Sequence, residues 1–119
     1  MVIRELIDSP NPDVSMLGPD AISQLEEEGW ELFKKEFLHE SIKLFTITKN
    51  ISRLNEIGKF CLDHNKLELA YLALRETKDY QLLTQVGISF IPEKKTDYAK
   101  QCFILAGNNE MVSFIEKNF

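Results

Sequence analysis

The chain has 119 residues, 44% of them hydrophobic and 28% charged, with a net charge of −5 at neutral pH, which is typical of one folded domain and argues against wholesale disorder. Its apolar runs are too short for a transmembrane helix, and its two cysteines are too few for a disulfide framework. The acidic balance disfavours DNA or an anionic membrane surface as a partner. We therefore expect a reduced, cytoplasmic protein that does not insert into a membrane.

The first element, residues 1–19, lies outside the regular pattern of the rest of the chain. The apolar side chains of its first part include Val2, Ile3, Leu6 and Ile7. They form a short apolar face, which the two prolines of residues 9–12 interrupt. This segment is predicted to be either a docked N-terminal cap or a loose arm.

A repeat of 29 residues organises residues 20–119, which we predict to be a single domain. The glycines Gly29, Gly58 and Gly87 are spaced by this interval. A leucine lies four residues before each glycine, a small residue twelve after it, and Phe or Leu sixteen after it. Asn or Asp recurs at residues 50, 79 and 108, where it can cap a following helix. The predicted units are 20–48, 49–77 and 78–106, followed by 107–119.

Each unit has the apolar spacing of helices, because its apolar residues recur at intervals of three and four. Each unit contains two segments with this spacing, joined by a short turn, which predicts an αα-hairpin. Glycine inside a helix costs about 1 kcal/mol relative to alanine, so three in register indicate close packing of helices. We pair Gly29 with Ser41, Gly58 with Ala70, and Gly87 with Ala99. The predicted helices cover residues 20–35, 37–48, 51–64, 66–77, 80–91, 96–106 and 109–118.

The last helix, within residues 107–119, continues the register of the preceding units. Val112, Ile115 and Phe119 continue their first-helix series, whereas Glu116 takes the place of the glycine. A charged residue is tolerable at that position when no partner helix presses on it, so we expect a capping helix with a more polar outer face. The predicted fold class is all-α, a short right-handed α-solenoid of three αα-hairpins plus this C-terminal capping helix.

The repeat resembles the tetratricopeptide repeat. Leu54, Ile57, Gly58, Ala70 and Leu74 fit its signature, as do Leu83, Val86, Gly87, Ala99 and Phe103. The period of 29 is shorter than the about 34 residues of that repeat, and the shorter hairpin looks more like the helical solenoids of vesicle-coat and ciliary-transport proteins. The resemblance implies a scaffold that binds other proteins and has no catalysis of its own.

No phosphate-binding loop, nucleophile elbow or paired-histidine helix is present in the sequence. Cys61 and His64 are three residues apart, a spacing that metal sites use. However, Cys61 occupies the same repeat position as Leu32 and Phe90, so we interpret it as an apolar core residue. We predict no enzymatic activity, no cofactor and no metal site.

A candidate partner-binding site follows the first helices of the units. Its residues are Trp30, Lys59 and Ile88, each one past a repeat glycine, together with Glu26, Phe33 and Lys34 around Trp30. In stacked hairpins this side lines the concave surface, which is the usual binding face. Trp30 is predicted to be either a surface anchor or part of the core.

Charge is uneven along the chain, since residues 1–40 contain ten acids and three bases, a net charge of −7. This acidity is either a solvated helix face or a docking patch for a basic partner. We predict protein binding or assembly, through the first-helix face or the solenoid ends. The alternatives are a self-associating unit that stacks end to end and, from another class, an RNA-binding helical repeat, which the negative charge disfavours.

Overall fold

The structure, a computed structural model, describes residues 3–9, 14 and 16–119. Within them it contains eight helices and no strand, which confirms the predicted all-α class. The helices are α1 (Ile3–Asp8), α2 (Pro19–Lys34), α3 (Leu38–Thr48), α4 (Ile51–Asp63), α5 (Leu67–Leu74), α6 (Tyr80–Phe90), α7 (Thr96–Leu105) and α8 (Asn109–Asn118). From α2 onward, both ends of every helix lie within three residues of the prediction. No helix of the described ranges is both long and apolar enough to cross a membrane.

The three predicted caps begin their helices as expected. The side chains of Asn50, Asp79 and Asn108 accept hydrogen bonds from backbone amides of the first turns of α4, α6 and α8, at 3.0–3.1 Å. Each cap satisfies one of the amides that a helix start leaves without an intrahelical partner. α6 ends at Phe90, two residues before Pro92, as the proline predicts.

The largest difference in bounds is at the end of α5, which stops at Leu74 rather than at residue 77. The amide of Thr77 donates to the carbonyl oxygen of Leu74 at 3.0 Å, a three-residue step that tightens the chain into a turn. Lys78 then adopts a left-handed conformation with φ of 57°. The tightened turn and this left-handed residue end the helix early.

From α2 onward, consecutive helices pack on one another along a body of 49 × 27 × 22 Å. The most extensive contacts join α2 to α3, α4 to α5, and α6 to α7, which are the two helices of each predicted hairpin. The repeat positions form the core: the leucines before the glycines, the small residues and the Phe or Leu residues after them are all buried. The buried Ser41 hydroxyl donates to the carbonyl oxygen of Gly29 at 2.7 Å, which brings α2 and α3 together.

The repeat glycines make room for a large side chain of the following helix. A β-carbon on Gly58 would lie 2.6 Å from Leu74 Cδ2, and one on Gly87 would lie 2.7 Å from Phe103 Cε1. At Gly29 the corresponding distance, to Phe45 Cε2, is 3.1 Å. A β-carbon at each glycine would therefore first meet the residue sixteen positions later. The predicted contact between Gly29 and Ser41 is confirmed by their hydrogen bond.

The N-terminal segment is docked where the structure describes it. Leu6, Ile7, Val14 and Leu17 pack against a cluster of Leu25, Leu44 and Ile47 at the α2–α3 end of the body. Val2 and the predicted break at residues 10–12 lie outside the described residues.

α8 packs on α7 and buries Ile115. Ser113 and Lys117 take the register positions at which α2 has Glu26 and Trp30, and both are exposed. Glu116 is also exposed and lies 3.5 Å from the Lys100 ammonium of α7. This part of α8 is polar, as expected of a capping helix, but its exposed surface also includes Phe114 and Phe119.

Candidate functional site

The predicted site around Trp30 borders an open cavity of about 490 Å³ between α2 and the start of α4. Its lining residues are Glu26, Glu27, Glu28, Trp30, Glu31, Asn50 and Arg53. The first five come from less than two turns of α2, and helix geometry places Glu26 and Glu27, four and three residues before Trp30, on the same face as its ring. Asn50 and Arg53 come from the cap and first turn of α4.

Trp30 is half-buried, and two side chains occupy its aromatic surface. The Arg53 guanidinium carbon lies 3.6 Å from the ring centroid, in a cation–π contact that joins α4 to α2. The Phe33 ring, one turn along α2, stacks on Trp30 at 4.8 Å between centroids. Trp30 is therefore a packed residue at the border of the cavity, with features of both the surface and the core interpretation.

The aromatic contacts continue from Trp30 across to α4. Phe33 meets Phe60 edge to face at 5.2 Å, and Phe60 stacks on His64 at 4.1 Å. The Nδ1 atom of His64 lies 2.8 Å from the carbonyl oxygen of Phe60. The contact between Phe33 and Phe60 within this row of four rings joins α2 to α4.

Two polar contacts hold cavity carboxylates in place. The Asn50 amide donates to Glu26 Oε2, so the residue that caps α4 also binds a carboxylate of α2. Lys34 Nζ lies 2.7 Å from Glu31 Oε1, and this hydrogen bond holds the pKa of the Glu31 carboxyl below its usual value. Glu27 and Glu28 are exposed at the cavity edge.

The structure brings together only part of the predicted site. Glu26 and Trp30 line the cavity, Phe33 stacks on Trp30, and Lys34 pairs with the lining residue Glu31. Lys59 on α4 and Ile88 on α6 are exposed and lie outside the lining of this cavity. The six residues share a repeat-related face of the first helices, but they do not form a single pocket.

Sequence reasoning missed Arg53 and Asn50 as members of this site. Asn50 was recognised only as a cap, whereas its amide group also contacts Glu26. Arg53 lies five residues before Gly58, and its contact with Trp30 depends on how α2 crosses α4. The sequence feature that points to Arg53 is a basic residue in the first turn of α4, the helix that follows the repeat unit containing Trp30.

This arrangement can bind a cationic or hydrogen-bonding group of a partner. Its carboxylates offer acceptors, and the Trp30 edge and Arg53 offer apolar and π surface. Within the described part of the chain, no group of three or more His, Cys, Asp or Glu residues is arranged to hold a metal ion.

Both cysteines are buried away from this cavity. Burial raises the pKa of the Cys61 thiol to about 11, an effect that the nearby Lys66 ammonium partly offsets. Burial also raises the pKa of the Cys102 thiol to about 12. Since the thiolate is the nucleophile, both thiols are poorly reactive at neutral pH, and Cys61 lies in the apolar core as predicted.

Comparison of the chain with protein-family models, with curated proteins and with solved structures finds no match in any of the three.

Proposed function

We propose that this chain is a short right-handed solenoid of three helical hairpins with a capping helix, and that it binds another protein without catalysing a reaction. The 29-residue register supports the architecture, because the repeat leucines, glycines, small residues and Phe or Leu residues have the same packing role in successive helix pairs. The likeness to tetratricopeptide-type repeats belongs to this proposal and rests on the same register.

The observation that carries the proposed function is the cavity between α2 and α4. Four glutamates line it, and it also presents a tryptophan and an arginine, residue types that are enriched at protein–protein hot spots. The surrounding acidity favours a partner with lysine or arginine side chains and opposes the phosphate backbone of RNA. The ring contacts of Trp30 and the Glu26–Asn50 hydrogen bond preorganise these groups, which lowers the entropic cost of binding.

Affinity capture from host-cell extract, with the captured proteins identified by mass spectrometry, tests the proposal. The bait is used as the wild-type chain, as Glu27→Lys in the cavity, and as Glu76→Lys, an equal charge change at an exposed residue outside it. We expect one protein to be retained by wild type and by Glu76→Lys and to be lost with Glu27→Lys. Binding should also weaken with added salt.

Three outcomes would contradict the proposal. The first is capture that Glu27→Lys and Glu76→Lys reduce equally, because the cavity would then have no special role. The second is retention of single-stranded RNA in place of a protein. The third is a doubled mass by light scattering that Glu27→Lys abolishes, which would make the cavity a contact between copies of this chain.

A further inference from the structure

α6 differs from every other helix in the described residues because it contains no charged residue. Its eleven residues, Tyr80–Phe90, include no Lys, Arg, Asp or Glu, although 28% of the whole chain is charged. Its exposed side chains include Gln81, Gln85 and Ile88, and Ile88 is 50% exposed. Depletion of charge together with exposed apolar surface is the composition found at the core of protein interfaces.

α8 and the C-terminal residue add exposed aromatic side chains to this outward side. Phe114 lies two positions before Glu116, the register position at which α2, α4 and α6 have Glu27, Glu56 and Gln85. All four residues are exposed, so this position faces solvent in each first helix. Phe114 is 44% exposed, and its ring lies 6.2 Å from that of Phe119, which is 64% exposed. An exposed aromatic pair therefore replaces the charge of α2 and α4 at this end.

The outward side of the first helices consequently changes in character along the body. Positions two before and one after the repeat glycine are about 60° apart around a helix, so they share one side. On this side α2 has Glu27 beside Trp30, α6 has Gln85 and Ile88, and α8 has Phe114 and Lys117. At these two positions the surface is acidic beside Trp30 at α2, has Glu56 and Lys59 at α4, is uncharged at α6, and has the Phe114 ring beside Lys117 at α8.

We infer that this side binds a polypeptide segment of the partner that is basic at one end and apolar at the other. The basic end lies over the glutamates of α2 and the apolar end over Ile88 and Phe114. This inference rests on the proposed function and adds the chemistry and direction of the bound segment. A second copy of the chain fits less well, because the same surface supplies acidic and apolar groups but no cluster of basic ones. An anionic membrane would be repelled by the acidic half.

Two synthetic peptides of equal length test the charge requirement. One has a block of lysines followed by a block of leucines, and the other has glutamates in place of the lysines. Fluorescence anisotropy with the full chain should show binding of the lysine–leucine peptide that weakens with salt, and at least about tenfold weaker binding of the glutamate–leucine peptide. Equal binding of the two peptides would overturn the inference.

Matched variants test where each half of the peptide lies. Ile88→Ser and Phe114→Ser should each weaken binding of the lysine–leucine peptide about fivefold to tenfold, a factor that corresponds to about 1–1.4 kcal/mol of binding free energy. The control is Ile104→Ser, since Ile104 is an isoleucine on α7 that is 47% exposed. Glu27→Lys should weaken binding and Glu76→Lys should not. Equal losses with Ile88→Ser and Ile104→Ser would overturn the inference.

The direction of the segment is tested with a nitroxide spin label at the leucine end of the peptide. We expect the label to broaden the NMR signals of Ile88 and Phe114 and to leave those of Glu27 sharp. The reverse pattern would overturn the inference. Thermal melts of each variant verify its folding, and if Ile88→Ser lowers the melting temperature, Phe114→Ser provides the comparison instead.

The inference and the proposed function can fail separately. Suppose that a captured natural partner requires Glu27 but binds Ile88→Ser and Phe114→Ser as tightly as wild type. The inferred segment with a basic and an apolar end is then wrong, while the cavity remains a protein-binding site. If light scattering shows a dimer that Ile88→Ser dissociates, a second copy covers the apolar half and the inference is also overturned.

Discussion

At the scale of single residues, the repeat glycines provide space that any other residue would fill. Without a β-carbon at residue 58, the buried side chain of Leu74 can lie directly against the backbone of α4. Carbon atoms at ordinary van der Waals contact are about 3.5–4.0 Å apart, so the 2.6 Å that a β-carbon at Gly58 would leave to Leu74 Cδ2 is a severe overlap. Packing between helices, rather than local conformation, explains why glycine stands here inside a helix.

The overlap caused by Gly58→Ala should cost about 1–3 kcal/mol, as in other overpacked cores. Alanine stabilises a helix by about 1 kcal/mol relative to glycine, so the expected net loss of stability is up to about 2 kcal/mol. Gly29→Ala should cost less, because its β-carbon would lie 3.1 Å from Phe45 Cε2. Urea unfolding of the two variants gives both values. A Gly58→Ala variant more stable than wild type would contradict the packing role of the glycine.

At the scale of helices, the sequence predicts where each helix from α2 to α8 begins and ends, because caps and apolar spacing are local signals. Of the residues that reverse the chain, it predicts Gly107, because a glycine just after a helix suits a left-handed cap. Left-handed residues occur at Glu36, Asn65 and Lys94 and at Lys49, Lys78 and Gly107. Within each series the spacing is 29 residues, so the turns follow the repeat even though only Gly107 and Asn65 are residues that favour this conformation.

α8 shows how one helix divides its residues between packing and exposure. Ile115 is 4% exposed and lies in the main core, whereas its neighbour Phe114 is 44% exposed. Ile115→Ala should lower the free energy of unfolding by about 2–5 kcal/mol, the usual cost of removing a buried aliphatic side chain. Phe114→Ala removes more atoms but should cost about 0.5 kcal/mol or less, as surface substitutions do.

Thermal or urea unfolding of both variants measures this difference. It also provides the stability control for the binding role of Phe114, because a residue reserved for a partner contributes little to the free chain. If Phe114→Ala proved as destabilising as Ile115→Ala, Phe114 would be a packing residue and α8 would have no free aromatic surface.

At the scale of the whole molecule, the candidate site was predictable only where it depended on one helix. The neighbourhood of Trp30, Glu26 and Phe33 follows from spacing along α2. The Arg53 contact and the Glu26–Asn50 hydrogen bond depend on the crossing of α2 and α4, which apolar periodicity does not specify. The charge change from α2 to α8 was visible in composition, but its direction along one surface required the packing order of the helices.

The packing order also determines how stability is distributed along the body. α4 to α7 each pack against neighbours on both sides, whereas α1 contacts α3 and none of its described side chains is fully buried. In arrays whose units contact mainly their neighbours, stability is approximately a sum of local interfaces, and the ends open first. α1 should therefore open without the rest of the molecule.

Native-state hydrogen exchange, followed by mass spectrometry, tests this gradient. We expect amides of α1 to exchange first, those of α8 next, and those of α4 to α6 last, close to the rate of global unfolding. Low concentrations of urea should speed exchange in α4 to α6 more than in α1, because local opening of α1 exposes little surface and depends weakly on denaturant, so the difference in exchange rate should narrow. Loss of protection in α1, α5 and α8 at a single rate would instead show that the chain unfolds as one cooperative unit, and the description as a sum of neighbouring interfaces would be wrong.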